Sequence, residues 1–539
     1  MRLFGRTEGR GRRETSSGLY RCAGFPALNR TRPLAWLLML LIHFQWGCAA
    51  EDALEKGILV VGLESNPTNL DPRVATDAGS SRIDDLLFNR LFRKDADGQP
   101  VPDLVESWEQ PDPRTYRFRL RQGVRFHDGR PLEAQDVQYT FESLLDAALR
   151  SPLRGSYRMI SSIECPDPRT VVFRLGEPFA PFLVNLDLGI VPRPRKGEGT
   201  EAGASPLVGS GPFRFVSWTP GSEVRLEANQ DYHEGPPRLR EVRFKVVPDN
   251  TVRILELRKG SVHLVQNEIE PGELPALRRN PRLVVQERQG TNYAYLGFNL
   301  RDPLLQSPKV REAVAHAIDR EAIIRHLLGG LAVPATGVLS PLNWAYEPHV
   351  SNPAYDPERA GRLLDEAGYP DPDGPGPRKR FVLSYRTSDN VLRRRIGEAL
   401  QSQFDAVGIQ IGIRSHEWGT FYADIQKGNF QIFTLTWVGV TDPDIYYYLF
   451  HSRSMPPEGA NRGAYQNPEV DRLLELGRIT PDPQERKKLY SQVQQILAVE
   501  LPYVNLWHSV NVVAMDRRIR GFVLYPDGNL RSLKDVWVE

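Results

Sequence analysis

Apolar positions along the chain change their period several times, and each change marks an element. Ile58-Leu-Val-Val-Gly-Leu63 is a continuous apolar run closed by Glu64-Ser65-Asn66-Pro67, which predicts a buried strand and a polar turn. A helix is expected over Arg82–Phe92. Tyr116-Arg-Phe-Arg-Leu120 then alternates with period two before Arg121-Gln-Gly123, and a hairpin follows from that. Val137, Phe141, Leu144 and Leu145 form an i, i+4, i+7, i+8 stripe on one helix. The string PDPRT-x-x-FRL occurs at 111–120 and again at 166–175. Two copies do not make a solenoid; a shared turn chemistry, with Pro-Asp-Pro at the corner and an alternating strand after it, explains them better.

Strand patterns return at Phe213–Val216, Val224–Glu227 and Val242–Val247. The character then changes. Ser307-Pro308 predicts a helix running to Gly329-Gly330, with Ser as cap, Pro at the first position and Gly past the end. Asp356-Pro357 opens another, closed by Gly368, and 371–377 (DPDGPGP) reads as a surface loop. An ordered series follows: strand Phe381–Tyr385, helix Val391–Ala406 stopped by Gly408, strand Ile409–Ile413, helix Trp418–Lys427 stopped by Gly428, strand Gln431–Thr436. Such alternation builds a parallel sheet through right-handed crossovers. Helices near 468–479 and 483–499 lead to a strand-rich tail from Pro502.

Composition changes one part of this picture. The 539 residues, 40% of them hydrophobic, suffice for a core and more than one domain. The formal charge of +2 looks neutral, but residues 1–48 hold eight arginines, no lysine and only Glu8 and Glu14. That segment is +6, and the remaining 61 basic and 65 acidic groups give −4. Leu34–Ile42 is nine apolar residues, too short to span a bilayer and suited to the centre of a secretory signal. Residues 1–50 are therefore expected to be a signal peptide with a basic lead. Cys48 sits where a bacterial lipoprotein would be cleaved and acylated, and cleavage after Ala50 is the other reading. Cys22, Cys48 and Cys165 show no C-x-x-C pair and no zinc spacing.

Catalytic signatures are missing from the sequence. It has no G-x-S-x-G, no H-E-x-x-H, no P-loop and no complete G-x-G-x-x-G; Gly209-Ser-Gly211 runs into Pro212 and fits a tight turn. The ten histidines make no i, i+4 pair, so no metal and no cofactor is expected, and dispersed basic residues on an acidic mature chain argue against nucleic acid. A binding role remains. Ligands of open parallel sheets collect beyond the carboxyl ends of strands, which selects Glu64, Ser65 and Asn66 after the first strand, Arg386 after a second, and Trp437 to Asp444 after a third. Arg386 can clamp a carboxylate or stand solvated; Trp437 can stack on a ligand or fill the core; Asp442 can bind or cap a turn.

Larger blocks carry a resemblance. Pro100-Val-Pro-Asp-Leu-Val-Glu-Ser-Trp108, Phe126-His-Asp-Gly129 within 116–129, Leu132-Glu-Ala-Gln-Asp-Val137, Gly209-Ser-Gly-Pro-Phe213, Tyr295-Leu-Gly-Phe-Asn299 and Val310–Asp319 together resemble the family 5 extracellular solute-binding proteins, the peptide- and nickel-type binding components of ABC importers. The resemblance covers roughly 57–539. It implies an α/β, two-lobed periplasmic-binding-protein type II fold with a third small domain inserted in the first lobe. The expected division is 51–266 plus 510–539 for lobe one, about 85–205 for the insert and 267–509 for lobe two. It also implies a non-enzymatic monomer in the periplasm or cell envelope, possessing a permease partner in the inner membrane and a peptide or peptide-like solute as ligand. An oligosaccharide, an opine or a nickel chelate as ligand is the alternative, and an envelope hydrolase is the third reading. Expected ligand contacts are Glu64, Ser65, Asn66, Tyr293, Arg386, Trp437 and Asp442. In peptide-binding members an aspartate three residues after the cleft tryptophan takes the ligand's amino group. Here that place is Val440, with Asp442 the nearest acid. His127 is read as a hairpin feature.

Overall fold

Two long antiparallel strands carry the molecule. The computed structural model describes residues 53–539 apart from 96, 97, 195–206, 268, 351, 375 and 458; the expected signal segment and Cys48 lie outside these. In chain order the strands are β1 (Ile58–Leu63), β2 (Phe92–Lys94), β3 (Pro100–Pro102), β4 (Val105–Asp112), β5 (Thr115–Leu120), β6 (Ile160–Asp167), β7 (Thr170–Leu175), β8 (Phe213–Thr219), β9 (Glu223–Ala228), β10 (Glu241–Val246), β11 (Leu264–Gln266), β12 (Leu283–Phe298), β13 (Ala332–Pro334), β14 (Phe381–Ser388), β15 (Ile409–His416), β16 (Ile432–Trp437) and β17 (Tyr503–Asp516). Among the described residues one sheet runs β15-β14-β16-β12-β17-β11-β1-β10-β9-β8, with β13 also on β17. No helix among them is long and apolar enough to cross a membrane.

Registers locate the functional centre. Residues 283–289 of β12 pair with 510–516 of β17, whose Val513 to Met515 also pair with β11. Residues 293–298 pair with β16, and 293–297 with the first part of β17. The register breaks between Gln289 and Tyr293. Gly290 sits at the break because a Cβ there would meet the Ser509 carbonyl at 2.9 Å. β1 is parallel to β11 and β10, and therefore to β12, whereas β16 is antiparallel to β12. The carboxyl ends of β1 and β16 thus point at each other, toward Gly290-Thr291-Asn292.

The strand-helix series stands as expected. β14 is parallel to β15 and β16, and the helices between them span Val391–Asp405 and Trp418–Lys427, with Gly408 and Gly428 at positive φ past their ends. One face of this region buries Leu296, Leu383, Leu400 and Ile411; the other buries Tyr295, Phe421, Phe433 and Tyr446. On the far side of the break, β1, β9 and β10 hold a separate core. Leu274, Leu277 and Leu283 pack there too, against Val60 and Ile254.

A four-stranded sheet, β4-β5-β7-β6, stands apart. The repeated string makes two equivalent hairpins in it. Asp112 and Asp167 each accept from the amide two residues on, Arg114 and Arg169, at 2.8 Å, and β5 pairs with β7. Val137, Phe141 and Leu144 are fully buried on it, in a helix over Ala134–Leu145. Phe126-His127 and Gly209-Ser-Gly211 are one device. His127 Nδ1 accepts from the Gly209 amide and its Nε2 reaches the Gly211 carbonyl, both at 3.1 Å, while the His127 amide donates to Gly209 at 2.7 Å. A Cβ on Gly209 would lie 1.8 Å from the Leu87 carbonyl, so only glycine lets the strand entry pass there.

Three elements differ from expectation. The helix placed over Arg82–Phe92 is Ala78–Leu87, because Asp77 caps it through the Ser80 amide and Phe92 instead enters β2. The hairpin turn of β5 precedes it, at Pro113-Arg114, pairing it with β4. The helix from Pro308 ends at His316, and Asp319 caps a second one, Arg320–His326, through Ala322 at 2.8 Å.

Candidate functional site

A narrow space lies at the register break. Thr291 from the break, Val440 and Thr441 from the turn after β16, Asn343, Asp527 and Gly98 contribute to its wall. Backbone and amide groups lock these segments together. Asn343 Nδ2 donates to the Thr441 carbonyl at 2.7 Å, and the Gly439 amide to Asn292 Oδ1 at 2.9 Å. The Thr291 amide donates to Pro526 at 3.1 Å. Gly98, in the β2–β3 turn at φ +76°, faces the Thr441 side chain, which a Cβ there would approach to 3.4 Å. The turn after β16 is therefore met by a segment from the opposite side of the break.

None of the seven expected ligand residues lines that space. Ser65 is exposed. Glu64 takes Arg82 Nη1 at 3.2 Å on both oxygens, and Asn66 accepts from the Gly221 amide and donates to the Pro67 carbonyl, each at 2.8 Å. Glu64 and Asn66 are thus held by partners within the protein. Tyr293 is fully buried, donates its hydroxyl to Asn505 Oδ1 and stacks on Tyr295. Burial raises its pKa well above the usual phenol value. It belongs to the core beneath the site and stands opposite Trp437 in register.

Arg386 is committed elsewhere in this structure. Its Nη1 lies 2.9 Å from Asp424 Oδ2 and 2.7 Å from His416 Nε2, so its charge is answered within the protein. Asp442 takes the structural role among its two readings. Its Oδ1 accepts from the Asp444 amide at 2.8 Å and from Arg486 Nη2 at 3.3 Å. Burial raises its pKa while Arg486 opposes the rise. Asp444 in turn holds Arg478 through both oxygens, at 2.8 and 3.0 Å. Val440, the place of the amino-binding acid in the resemblance, is the residue of this stretch that does line the space.

Trp437 is half-buried, three residues before Val440, and it introduces a residue the sequence reading missed. The Arg462 guanidinium stands 4.9 Å from the Trp437 ring centre and 5.4 Å from that of Tyr422. It donates to the hydroxyls of Tyr295 and Tyr422 at 3.0 and 3.1 Å. Burial works against its charge, yet the phenol oxygens of Tyr295, Tyr503 and Tyr422 hold its pKa above the usual value. Arg462 lies in an irregular loop, Asn461 to Tyr465, where no periodicity marks it. Among the described residues, one group with metal-ligand atoms close together, Asp103, His233 and Glu234, shares no residue with the lining of the space. Glu234 already pairs with Lys534 at 3.1 Å, and Asp103 accepts from Asn89 and the Arg90 amide.

This architecture, strand ends from two sides meeting at a break in two shared strands, is that of known solute-binding proteins. The oligopeptide-binding protein AppA from Bacillus subtilis, in complex with a nonapeptide, superposes with a TM-score of 0.78 at 29% identity, covering 89% of this chain and 99% of that one. AgaA from A. tumefacien R10, in complex with agropinic acid, gives 0.76 at 26%, covering 89% and 99%. In sequence, AppA of Bacillus subtilis (strain 168) is 30% identical over 501 residues, 89% of this chain and 92% of the relative. The dipeptide-binding protein of Escherichia coli (strain K12) is 28% identical over 506 residues, 87% and 92%. The model for bacterial extracellular solute-binding proteins, family 5 Middle, matches residues 99–456, more than half of the chain. The chain belongs to this family.

Proposed function

We propose that the chain captures a peptide or peptide-like solute in the periplasm or cell envelope and passes it to an ABC permease, with residues 1–50 directing export and Cys48 a site of lipid attachment. The observation that carries this reading is the space at the β12 break, where the turn after β16 faces the β2–β3 turn across Gly98 and Thr441. Lobe one is 51–266 with 510–539, the insert 85–205 and lobe two 267–509. Separate cores support this division, apart from the start of lobe two, where Leu274, Leu277 and Leu283 pack with Val60 and Ile254 of lobe one. Closure of the lobes by a hinge at Gly290–Asn292 buries the ligand. The similarity to AppA and to the dipeptide-binding protein supports a peptide; the similarity to AgaA, together with Val440 in place of an acid, supports a small organic acid as the second reading. Calorimetry of the purified protein against di- to pentapeptides tests the first. Heat with peptides upholds it, and binding of an acid such as agropinic acid with no response to any peptide replaces it with the second.

A further inference from the structure

Two arrangements recur among the buried and half-buried arginines of this protein. Arg311 donates to the carbonyls of Leu305, Gln306, Glu500 and Leu501, and Arg320 to those of Asn505, Pro353 and Ala315. Their guanidinium groups are staples between backbone segments. Others, Arg386, Arg478 and Arg486, are paired with Asp424, Asp444 and Asp442. Arg462 is of neither kind. It is 6% exposed, its described donors go to two tyrosine hydroxyls, and among the described residues no carboxylate pairs with it. A guanidinium presents five donors in a planar fork, and a buried charge without a counter-charge is costly.

A second donor stands beside it. Trp437 Nε1 is buried without a hydrogen-bond partner, although such an indole group normally finds one. Both face the same ring of aromatic side chains, in which Tyr422 is half-buried and Tyr448 is 43% exposed and 6.0 Å from Trp437, ring centre to ring centre. Three residues beyond Trp437 the chain lines the space at the register break. A cation without a carboxylate counter-charge and an indole donor without a partner, close in sequence to the turn that lines the space, are complementary to an anion with a flat or apolar neighbour.

We infer that Arg462 and Trp437 Nε1 form the subsite for a carboxylate of the ligand, with the aromatic ring around them holding the group next to it. This deepens the proposed function and rests on it for the location of the ligand. It places the anion at Arg462 and not at Arg386, whose charge Asp424 already meets.

The test is calorimetry on wild type, Arg462→Met and Trp437→Phe with Ala-Gln-Ala, its amide, Ala-Glu-Ala amide, succinate and succinamide. Wild type should prefer at least one acid to its neutral counterpart tenfold or more. Arg462→Met should reduce that preference below twofold while leaving the neutral probes within twofold of wild type. Trp437→Phe, which keeps a ring and loses the donor, should reduce it about threefold. Preference for Ala-Gln-Ala alone assigns the carboxyl terminus, and preference for Ala-Glu-Ala amide assigns a side chain. Wild type that binds acid and neutral forms equally, or Arg462→Met that weakens both equally, overturns the subsite. Succinate bound with no peptide bound, and lost in Arg462→Met, overturns the peptide reading and upholds the subsite; no response to any probe overturns both.

Discussion

The Ala180 amide donates to the carbonyl of Arg478 at 2.6 Å, and this short bond joins the segment after Phe179 to the helix Pro468–Ile479. The Arg478 side chain reinforces it from below. Its guanidinium lies 3.6 Å from the Tyr447 ring centre and 5.2 Å from that of Phe179, while Asp444 takes two of its donors. Phe179 belongs to the core of the β4–β7 region, Tyr447 to the rim of the core around β16. Arg478 therefore couples the small sheet to the turn that carries Asp442 and Asp444. Arg478→Ala should lower stability by about 1–3 kcal/mol, less than for a fully buried pair because water reaches both groups. Amide exchange at 178–181 should speed up in the same variant. Urea unfolding and hydrogen exchange check the two effects, and unchanged exchange at 178–181 would show that the contact does not hold these parts together.

Acid should weaken the fold through His127. Burial pushes its pKa down to about 4, and the neutral ring is required, since Nδ1 must accept from the Gly209 amide while Nε2 donates to Gly211. The unfolded chain takes up a proton near pH 6.5, the folded one only near 4. Stability from this group is thus present above about pH 6.5 and is lost as pH falls toward 4, by on the order of 2–3 kcal/mol. His508, also pushed down to about 4 by burial, acts with the same sign. His127→Gln should flatten the loss between pH 6.5 and 4 by roughly half while lowering stability at pH 7. Denaturant midpoints across that range measure it, and a slope equal to that of wild type removes His127 from the account.

The region from Phe381 to Trp437 was legible in sequence because local signals agree there. Each strand is a short apolar run, and each helix ends at a glycine that adopts positive φ, Gly408 and Gly428. The helix after Ser307 was misread for a local reason as well, since Asp319 is a good cap inside a pattern that stays apolar on both sides. The site was less legible. Strand ends marked the right turn after β16, but long-range partners decide which of its side chains are free. Asp424 claims Arg386 from the next helix but one, and Arg486 claims Asp442 from 44 residues away. Arg462 depends on Tyr295, Tyr422 and Trp437, three segments that only the sheet brings together.

Arg386→Ala should accordingly have a small effect on ligand selectivity. Removing it leaves Asp424, a half-buried carboxylate, without its cation, so the expected loss is in stability, about 1 kcal/mol after allowing for solvent. The acid-over-neutral preference measured with Ala-Gln-Ala and its amide should change less than threefold. Asp424→Asn in the same background should restore most of the lost stability. A tenfold collapse of the preference on Arg386→Ala would return the ligand's anion to this residue.

Val440 offers the complementary change. It is 4% exposed, three residues after Trp437, and lines the space at the register break. In the peptide-binding members that the chain resembles, an acid at this place takes the ligand's amino group, and a valine there offers that group only an apolar wall. Wild type should therefore bind Ala-Ala-Ala and N-acetyl-Ala-Ala-Ala with affinities within about threefold. Val440→Asp places a carboxylate in a largely dry position, at a cost of about 3–5 kcal/mol in the unliganded protein. An ammonium group within reach offsets that cost, so the free peptide should gain on the acetylated one by tenfold or more. Because the new carboxylate is only satisfied when the ligand is bound, the melting temperature of Val440→Asp should rise more on adding Ala-Ala-Ala than that of wild type. Calorimetry and thermal melting read both effects. A Val440→Asp protein that is destabilised but keeps the wild-type ratio of the two peptides would mean that the ligand's amino end lies away from this turn.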